Sequence, residues 1–210
     1  MPNYEHITVC GGTQSGKSYG TFKMIKEMGV PAIYINSLNE EIKVFNKSEI
    51  KVIDFKKHTW EQLEYALKTY KLIDLRVSST NAVKEVEYLI KKLEKRSNQQ
   101  PLYVLFEEAY DYNGSLIVQN VFRRGRHNKI YGVLIGQTIA DMSKKGVKQT
   151  FEKRIYRIAK EDEKYMIGNG YERKYLNLLE KASPYSYLLY KAGDVFLVDN
   201  KTGKKLLNEL

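Results

Sequence analysis

Residues 11–18 read Gly11-Gly12-Thr13-Gln14-Ser15-Gly16-Lys17-Ser18 and carry the most specific structural signal in the chain. It matches the phosphate-loop pattern G-x-x-x-x-G-K-[ST] and directly follows an apolar run, residues 7–10, that we predict to be a strand. Residues 17–28 are predicted to form a helix that ends at Gly29, with Pro31 beyond it. A strand, a glycine-rich loop and a helix N-terminus in this order predict a site for the phosphates of a nucleotide.

The loop and the first helical turn supply the predicted ligands. Glycines allow backbone N–H groups to turn toward a β-phosphate, Lys17 is expected to reach the β- and γ-phosphates, and the Ser18 hydroxyl is the expected ligand of Mg²⁺. The predicted nucleotide-binding residues are Gly11, Gly12, Thr13, Gln14, Ser15, Gly16, Lys17, Ser18 and Tyr19.

Two acids follow the apolar run at residues 102–106. A phosphate loop needs a further carboxylate at the carboxyl end of a neighbouring strand, where α/β sheets place their ligands. Glu107 is predicted to hold Mg²⁺ through water, and Glu108 to act as the general base that polarises the attacking water. The alternative is that both acids are solvated and complement the dipole of a helix that follows them.

A polar residue and several arginines complete the candidate set. Gln137 stands at the end of the apolar run at 131–135, where its side chain could sense a γ-phosphate or position water. Arg124 and Arg126 precede that run and have two predicted uses, as an arginine finger across a subunit interface or as contacts to DNA phosphates. A basic solvated surface remains the third interpretation of these arginines.

Short apolar runs alternate with stretches of helical period along the chain. The strand-like runs are residues 7–10, 32–35, 51–55, 72–75, 102–106 and 131–135. The clearest helix is predicted at residues 82–96, after a capping cluster at 78–81, and residues 185–191 and 194–199 are predicted to form a closing β-hairpin around Ala192-Gly193. This alternation predicts an α/β fold of parallel strands buried on both faces, with residues 1–210 as one domain.

Composition sets outer limits on the function. The chain has 210 residues and a formal net charge of +10, which favours a polyanionic partner such as nucleic acid, although a lysine-rich solvated surface explains the charge equally well. Cys10 is the single cysteine, so an internal disulfide is impossible, and one cysteine with three histidines is too few for a zinc finger. No apolar run has the length of a membrane span, and no signal peptide is predicted.

The order of these parts resembles the HerA–FtsK superfamily of P-loop ATPases that pump DNA. The similarity rests on residues 11–18, on Phe106-Glu107-Glu108-Ala109-Tyr110, and on Arg124-Gly125-Arg126-His127 leading into residues 132–138. It extends to Arg154-Ile155-Tyr156-Arg157 and the acidic residues 161–163. The compact length is most similar to the genome-packaging ATPases of tailless icosahedral viruses with internal membranes, of the Sulfolobus turreted icosahedral virus type. One departure is Glu107, which stands where most members have the shorter Asp.

The resemblance implies a RecA-like core of the ASCE type, with a mainly parallel sheet flanked by helices and a C-terminal β-hairpin. It implies an ATPase, with ATP and Mg²⁺ bound at the loop, that translocates double-stranded DNA without sequence preference and packages a viral genome into a preformed capsid. Lys17, Glu108, Gln137, Arg126 and, in reserve, Arg124 become the expected catalytic residues, and Ser18 and Glu107 the metal ligands. The expected assembly is a homo-oligomeric ring, hexameric or pentameric, in the host cytoplasm or on the virion, with capsid or membrane-associated virion proteins as further partners.

Several alternatives stay open at this point. A cellular DNA translocase or helicase of the same superfamily would carry the same residues. A nucleotide kinase would use the phosphate loop but needs no glutamate to activate water. A non-catalytic basic assembly module could hold nucleotide structurally. A GTPase is disfavoured, because the guanine-reading N-K-x-D is absent and the nearest text, Asn200-Lys201-Thr202-Gly203, lacks the acid.

Overall fold

The predicted alternation of strands and helices builds a nine-stranded sheet. The structure is a computed structural model, and it describes residues 4–37, 41–78, 81–96, 100–203 and 205. The strands are β1 Ile7–Cys10, β2 Ala32–Asn36, β3 Ile50–Asp54, β4 Leu72–Arg76, β5 Leu102–Phe106, β6 Ile130–Gly136, β7 Glu152–Ile155, β8 Ser186–Lys191 and β9 Asp194–Asp199. The α-helices are α1 Lys17–Met28, α2 Trp60–Thr69, α3 Ala82–Leu93, α4 Leu116–Arg124, α5 Lys144–Gln149, α6 Lys160–Gly168 and α7 Arg173–Lys181.

The strand order in the sheet is β3-β4-β2-β5-β6-β1-β7-β8-β9. Strands β1 to β7 run parallel, and β8 and β9 are antiparallel additions at one edge. The prediction of a mainly parallel α/β sheet with a C-terminal hairpin is therefore confirmed. One detail differs from expectation. Glu107 and Glu108 were predicted to follow a strand adjacent to β1, but β6 lies between β1 and β5 in the sheet.

Burial on both faces explains why these strands are apolar throughout. Strands β1, β2 and β5 are buried at every position, as expected for central parallel strands covered by helices. Strands β3 and β7 depart from this pattern. Strand β3 forms the far edge and exposes Lys51 and Val52, and the two middle residues of β7 are half-buried and charged. One face of the sheet packs against α1, and the other packs against helices α2 to α4 and the C-terminal helices.

The prediction for helix α3 needs correction in two details. Helix α3 spans Ala82–Leu93 and so ends three residues before the predicted end at residue 96. Its N-cap residue, Asn81, makes no side-chain cap, and instead the Glu85 carboxylate accepts a hydrogen bond from the Ser78 backbone N–H at 2.8 Å. Residues 79 and 80 of the predicted capping cluster lie outside the described residues. No helix in the described ranges is long and apolar enough to cross a bilayer.

The C-terminal hairpin forms as predicted around Ala192-Gly193. Both turn residues have positive φ, 55° and 91°, which is the backbone that a two-residue type I′ turn requires. Because β8 runs antiparallel to β7, the hairpin turn lies at the amino edge of the parallel strands. The start of β8 and the end of β9 therefore lie at the carboxyl edge, beside the phosphate loop.

Candidate functional site

The phosphate loop is held between the ends of two strands. Gly11 N–H donates to the Gly136 carbonyl of β6 at 3.2 Å, and Gly12 N–H donates to the Arg157 carbonyl after β7 at 2.7 Å. Gly16 is the N-cap of α1 and has φ 86°, a left-handed conformation that favours glycine. The loop therefore delivers the N-terminus of α1 to the carboxyl edge of the sheet, where the helix dipole favours an anion.

Close packing under the loop explains one glycine and leaves one hydroxyl for a ligand. A Cβ on Gly11 would lie 2.5 Å from the Tyr156 Cβ, so no larger residue fits there. The Ser15 hydroxyl is buried with no hydrogen-bond partner among the described residues. An orphaned buried hydroxyl in a glycine-rich turn at a helix N-terminus fits a site built for an anion such as a triphosphate.

The end of the C-terminal hairpin braces the start of α1. The buried Asn200 side chain donates to the Gly16 carbonyl at 3.4 Å, and the Lys23 ammonium donates to the Asn200 carbonyl at 3.0 Å. The Tyr185 ring lies against Gly16, since a Cβ there would be 3.0 Å from Tyr185 Cδ1. The residues that flank the last two strands thus support the phosphate loop, a role that no local sequence pattern indicates.

The two acids after β5 lie at the same edge in different environments. The Glu107 side chain is buried, with 4% of the residue exposed. Glu108 has φ 47° and ψ 57°, a left-handed conformation that is uncommon for a residue other than glycine, and it starts the 3₁₀ helix Ala109–Tyr112. Its Oε2 is buried and finds no hydrogen-bond partner within the described ranges. Strained backbone and an unpartnered carboxylate oxygen are features that cluster at active sites.

Gln137 lies between the loop and the acids. It follows Gly136, the last residue of the strand that separates β1 from β5, and its side chain is exposed. Together with Tyr110, Asn113 and Asp141 it lines an open cleft next to the acids. The Gln137 side chain can therefore contact a ligand that binds between the phosphate loop and Glu108.

A further acid lies close to the loop and was not predicted as part of the site. Burial raises the pKa of Asp162, on the first turn of α6, and a hydrogen bond from Thr138 opposes that shift. Thr138 follows Gln137 directly, and its hydroxyl also accepts the Ala140 N–H at 2.9 Å. Asp162 therefore fixes the turn that carries Gln137.

The arginines lie at the opposite edge of the sheet. Arg126 is in the 3₁₀ helix Gly125–Asn128, just before β6 begins, and its guanidinium forms an ion pair with Glu5 at 2.7 Å. Glu5 is 121 positions away from Arg126 in the chain, so no local sequence pattern marks this pair. Arg124 is exposed and makes no ion pair in the part of the chain that the structure describes. Neither arginine is near the phosphate loop of its own chain.

The carboxyl edge of the sheet thus brings together five predicted site residues: Lys17, Ser18, Glu107, Glu108 and Gln137. The two predicted arginines, Arg124 and Arg126, lie at the amino edge. The residues that sequence reasoning missed are Tyr156, Asp162, Tyr185 and Asn200, which support the site from elements far away in the chain. Asn200, for example, is 184 positions away from Gly16 in the sequence, so no local pattern predicts their contact.

Solved structures with the same fold include a viral genome packaging NTPase and a protein with several ATPase units. The genome packaging NTPase B204 from Sulfolobus turreted icosahedral virus 2, in complex with sulfate, superposes with a TM-score of 0.70 and 15% identity over 100% of both chains. The same protein in complex with ATP-gammaS gives a TM-score of 0.68 over 99% of this chain and 100% of that chain, with 15% identity. EssC (ATPases 2 and 3) from Geobacillus thermodenitrificans gives a TM-score of 0.60 with 10% identity, over 93% of this chain and 39% of that one.

No protein-family model matches the chain, and no curated protein matches it. At identities of 10 to 15%, the similarity to solved structures concerns the fold. It confirms that the chain has the P-loop ATPase fold that the sequence resemblance implied.

Proposed function

We propose that the chain is an ATPase of the HerA–FtsK superfamily that drives double-stranded DNA into a viral capsid. The observation that carries the proposal is the meeting of the phosphate loop, the acidic pair Glu107-Glu108 and Gln137 at one edge of a RecA-like sheet. The similarity in fold to a viral genome packaging NTPase supports it over the whole length of the chain.

Each residue at the edge has a task in ATP hydrolysis. The backbone N–H groups of the loop and the Lys17 ammonium bind the phosphates, and Ser18 and Glu107 would hold Mg²⁺, which neutralises charge on the phosphates when bound. Glu108 takes the proton of the attacking water as general base. Its orphaned Oε2 leaves an oxygen available for that proton. Gln137 orients the water or contacts the γ-phosphate from the strand between loop and base.

The arginines support a catalytic site shared between subunits. Arg126 lies at the amino edge of the sheet, so it cannot reach the phosphates bound at the carboxyl edge of its own chain. In a head-to-tail ring, however, that edge can face the nucleotide of a neighbour. Arg126, or Arg124 in reserve, then stabilises the negative charge that develops during hydrolysis in the next subunit.

The partner that fits this protein is duplex DNA, bound through its phosphates. The net charge of +10 favours a polyanion, and a motor that moves a whole genome must track the backbone without reading bases. We propose that residues 1–210 act as one ATPase domain in a homo-oligomeric ring at the virion or in the host cytoplasm.

The test compares two variants with different defects, with and without duplex DNA. Lys17→Ala should lose ATP binding, because the ammonium that reaches the phosphates is gone. Glu108→Gln should bind ATP with Mg²⁺ yet hydrolyse it about 10²- to 10⁴-fold more slowly, since only the base is lost. ATP affinity by calorimetry and phosphate release are the measurements. Wild-type turnover in Glu108→Gln would remove the assignment of the base, and hydrolysis indifferent to DNA would argue against a DNA motor.

A further inference from the structure

A cleft of lysines and tyrosines lies over β7 and β8, on the face of the sheet opposite α1. Helices α5 and α6 form its walls, and the aliphatic part of the lining belongs to the core of that face. We call it the lysine–tyrosine cleft, and its polar and aromatic side chains are Lys144, Lys148, Lys153, Tyr165, Asn169, Tyr171 and Tyr190. The Asn169 amide nitrogen donates to the Tyr165 carbonyl at 2.7 Å. No acid lines the cleft within the described part of the chain.

Lys153 is the unusual member of this set. It lies in the middle of β7, half-buried, and it makes no ion pair within the described ranges. Burial lowers the pKa of its ammonium group. The nearest acid in sequence, Glu152, points to the other face of the strand, where it pairs with Arg154 at 2.7 Å and with Lys191 at 3.0 Å. Both oxygens of that carboxylate are therefore committed, and Lys153 faces the cleft without a counter-charge.

Tyr190 gives the second observation. It is opposite Lys153 in the β7–β8 pairing, and its hydroxyl is buried with no hydrogen-bond partner among the described residues. The edges of the Tyr171 and Tyr175 rings pack on it, with centroid distances of 5.1 and 6.4 Å, so its orientation is fixed. A buried hydroxyl costs free energy when no acceptor meets it, and an acceptor arriving in the cleft would remove that cost.

Two further cations stand at the rim. Lys144 and Lys148 are exposed residues of α5 and are separated by four positions, which places them on one face of the helix, one turn apart. The cleft thus presents three ammonium groups and a fixed hydroxyl donor with no carboxylate beside them. That combination recognises a phosphate-bearing polyanion through point charges.

We propose that the lysine–tyrosine cleft binds the backbone phosphates of duplex DNA, with Lys153 and the Tyr190 hydroxyl contacting one phosphate and Lys144 and Lys148 its neighbours on the strand. The inference rests on the proposed function, since it assigns the DNA contacts of that motor to a place in the fold. It is separate from the ATP site, which lies at the carboxyl edge of the sheet.

The experiment measures binding of a short labelled duplex by fluorescence anisotropy at several salt concentrations. The double variant Lys148→Gln/Lys153→Gln is compared with Lys47→Gln/Lys51→Gln, which removes the same charge from exposed lysines at the far edge of the sheet. The cleft variant should bind about ten-fold or more weakly, and the slope of log affinity against log salt should fall by about 1 to 2, because each lost phosphate contact accounts for about 0.9. The control variant should keep the wild-type slope within about 0.5.

A second variant protects the test against a folding defect. Tyr190→Phe keeps the ring and its packing and removes the hydroxyl alone, so it should melt like the wild type and bind the duplex several-fold more weakly. If the wild type binds DNA and hydrolyses ATP, equal salt slopes for the cleft and control variants would refute the DNA contacts of the cleft. The proposed function as a DNA-translocating ATPase would not be affected. Displacement of the duplex by inorganic phosphate at constant ionic strength would also refute the DNA contacts of the cleft, in favour of a free-anion site. A wild type that binds no DNA would count against the proposed function itself.

Discussion

The Arg126 guanidinium lies 2.7 Å from the Glu5 carboxylate, and both residues precede parallel strands that run side by side. Glu5 comes before β1 and Arg126 before β6, so the pair lies at the amino edge of the sheet, while the proposed ATP site lies at the carboxyl edge. Half of the Arg126 side chain remains exposed. The carboxylate thus orients the arginine and leaves part of its fork open to another molecule.

The first prediction concerns Glu5 as a positioning residue. Glu5→Gln should slow ATP hydrolysis several-fold without changing ATP affinity, because Arg126 loses the group that orients it. The free energy of unfolding should change by less than about 1 kcal/mol, since the pair is partly exposed. The matched control is Glu172→Gln, which breaks another partly exposed pair, Glu172 with Lys174 at 3.0 Å. Equal turnover in the two variants would contradict the positioning role.

The second prediction tests whether Arg126 acts on a neighbour. Arg126→Ala should keep ATP binding and lose about 10³-fold or more in hydrolysis, the contribution of such fingers in other P-loop enzymes. Mixing Arg126→Ala with Lys17→Ala should restore part of the activity, because some interfaces then pair an intact loop with an intact arginine. Mixed oligomers without any recovery would place Arg126 in a structural or DNA-contacting role.

The third prediction concerns the packing beneath α1. A Cβ on Gly20 would overlap the Tyr156 hydroxyl and lie 2.7 Å from the Asn200 side-chain nitrogen. Gly20→Ala should therefore destabilise the protein by about 1 to 3 kcal/mol in denaturant unfolding. Adding Tyr156→Phe should recover much of the loss, since it removes the overlapping oxygen. Gly168→Ala, where a Cβ meets nothing within 4 Å, is the control and should change little.

The fourth prediction is a pH dependence from His6. Burial, with help from the Arg126 charge, lowers the pKa of His6 to about 4, and its Nδ1 accepts the Gly132 N–H at 2.9 Å. Because the unfolded chain takes up the proton near pH 6.5, His6 opposes folding as the pH falls from there toward 4. The wild type should gain about 2 kcal/mol from His6 between pH 5 and pH 7.5. Urea unfolding of His6→Gln should show a smaller gain, and equal gains would contradict the assignment.

The bounds of the central strands β1 and β5 and of helix α1 could be predicted from the sequence, because local patterns determine these elements. Strands β1 and β5 begin and end at the predicted residues, and α1 runs from Lys17 to Met28 as its loop and terminal glycine indicated. Strand β7 was not among the predicted strands, since three of its four residues are charged. Its pairing with β1 and the ion pairs of Glu152 on one face stabilise a strand that propensity alone does not favour.

The site was predictable to the extent that its residues follow strand ends. Glu107, Glu108 and Gln137 each stand just beyond an apolar run, and parallel strands bring such positions to one edge. The strand order is not a local property, so the sequence could not tell that β6 separates the acids from the loop. For the same reason it could not locate Glu5 beside Arg126 or Asn200 beside Gly16, whose contacts cross the whole chain.

Strand β6 connects Arg126 with Gln137, and it could therefore couple ATP hydrolysis in neighbouring subunits of the proposed ring. Arg126 lies four positions before the first residue of β6, and Gln137 directly follows its last. The seven residues of the strand span roughly 23 Å, with residues 130–134 paired to β5 and residues 133–136 paired to β1. Every residue of β6 is thus paired on at least one side, which makes the strand stiff along its axis. In the proposed ring, a displacement of Arg126 against the ATP of one subunit would therefore move Gln137 at the ATP site of its own subunit, so that one strand couples hydrolysis at the two sites.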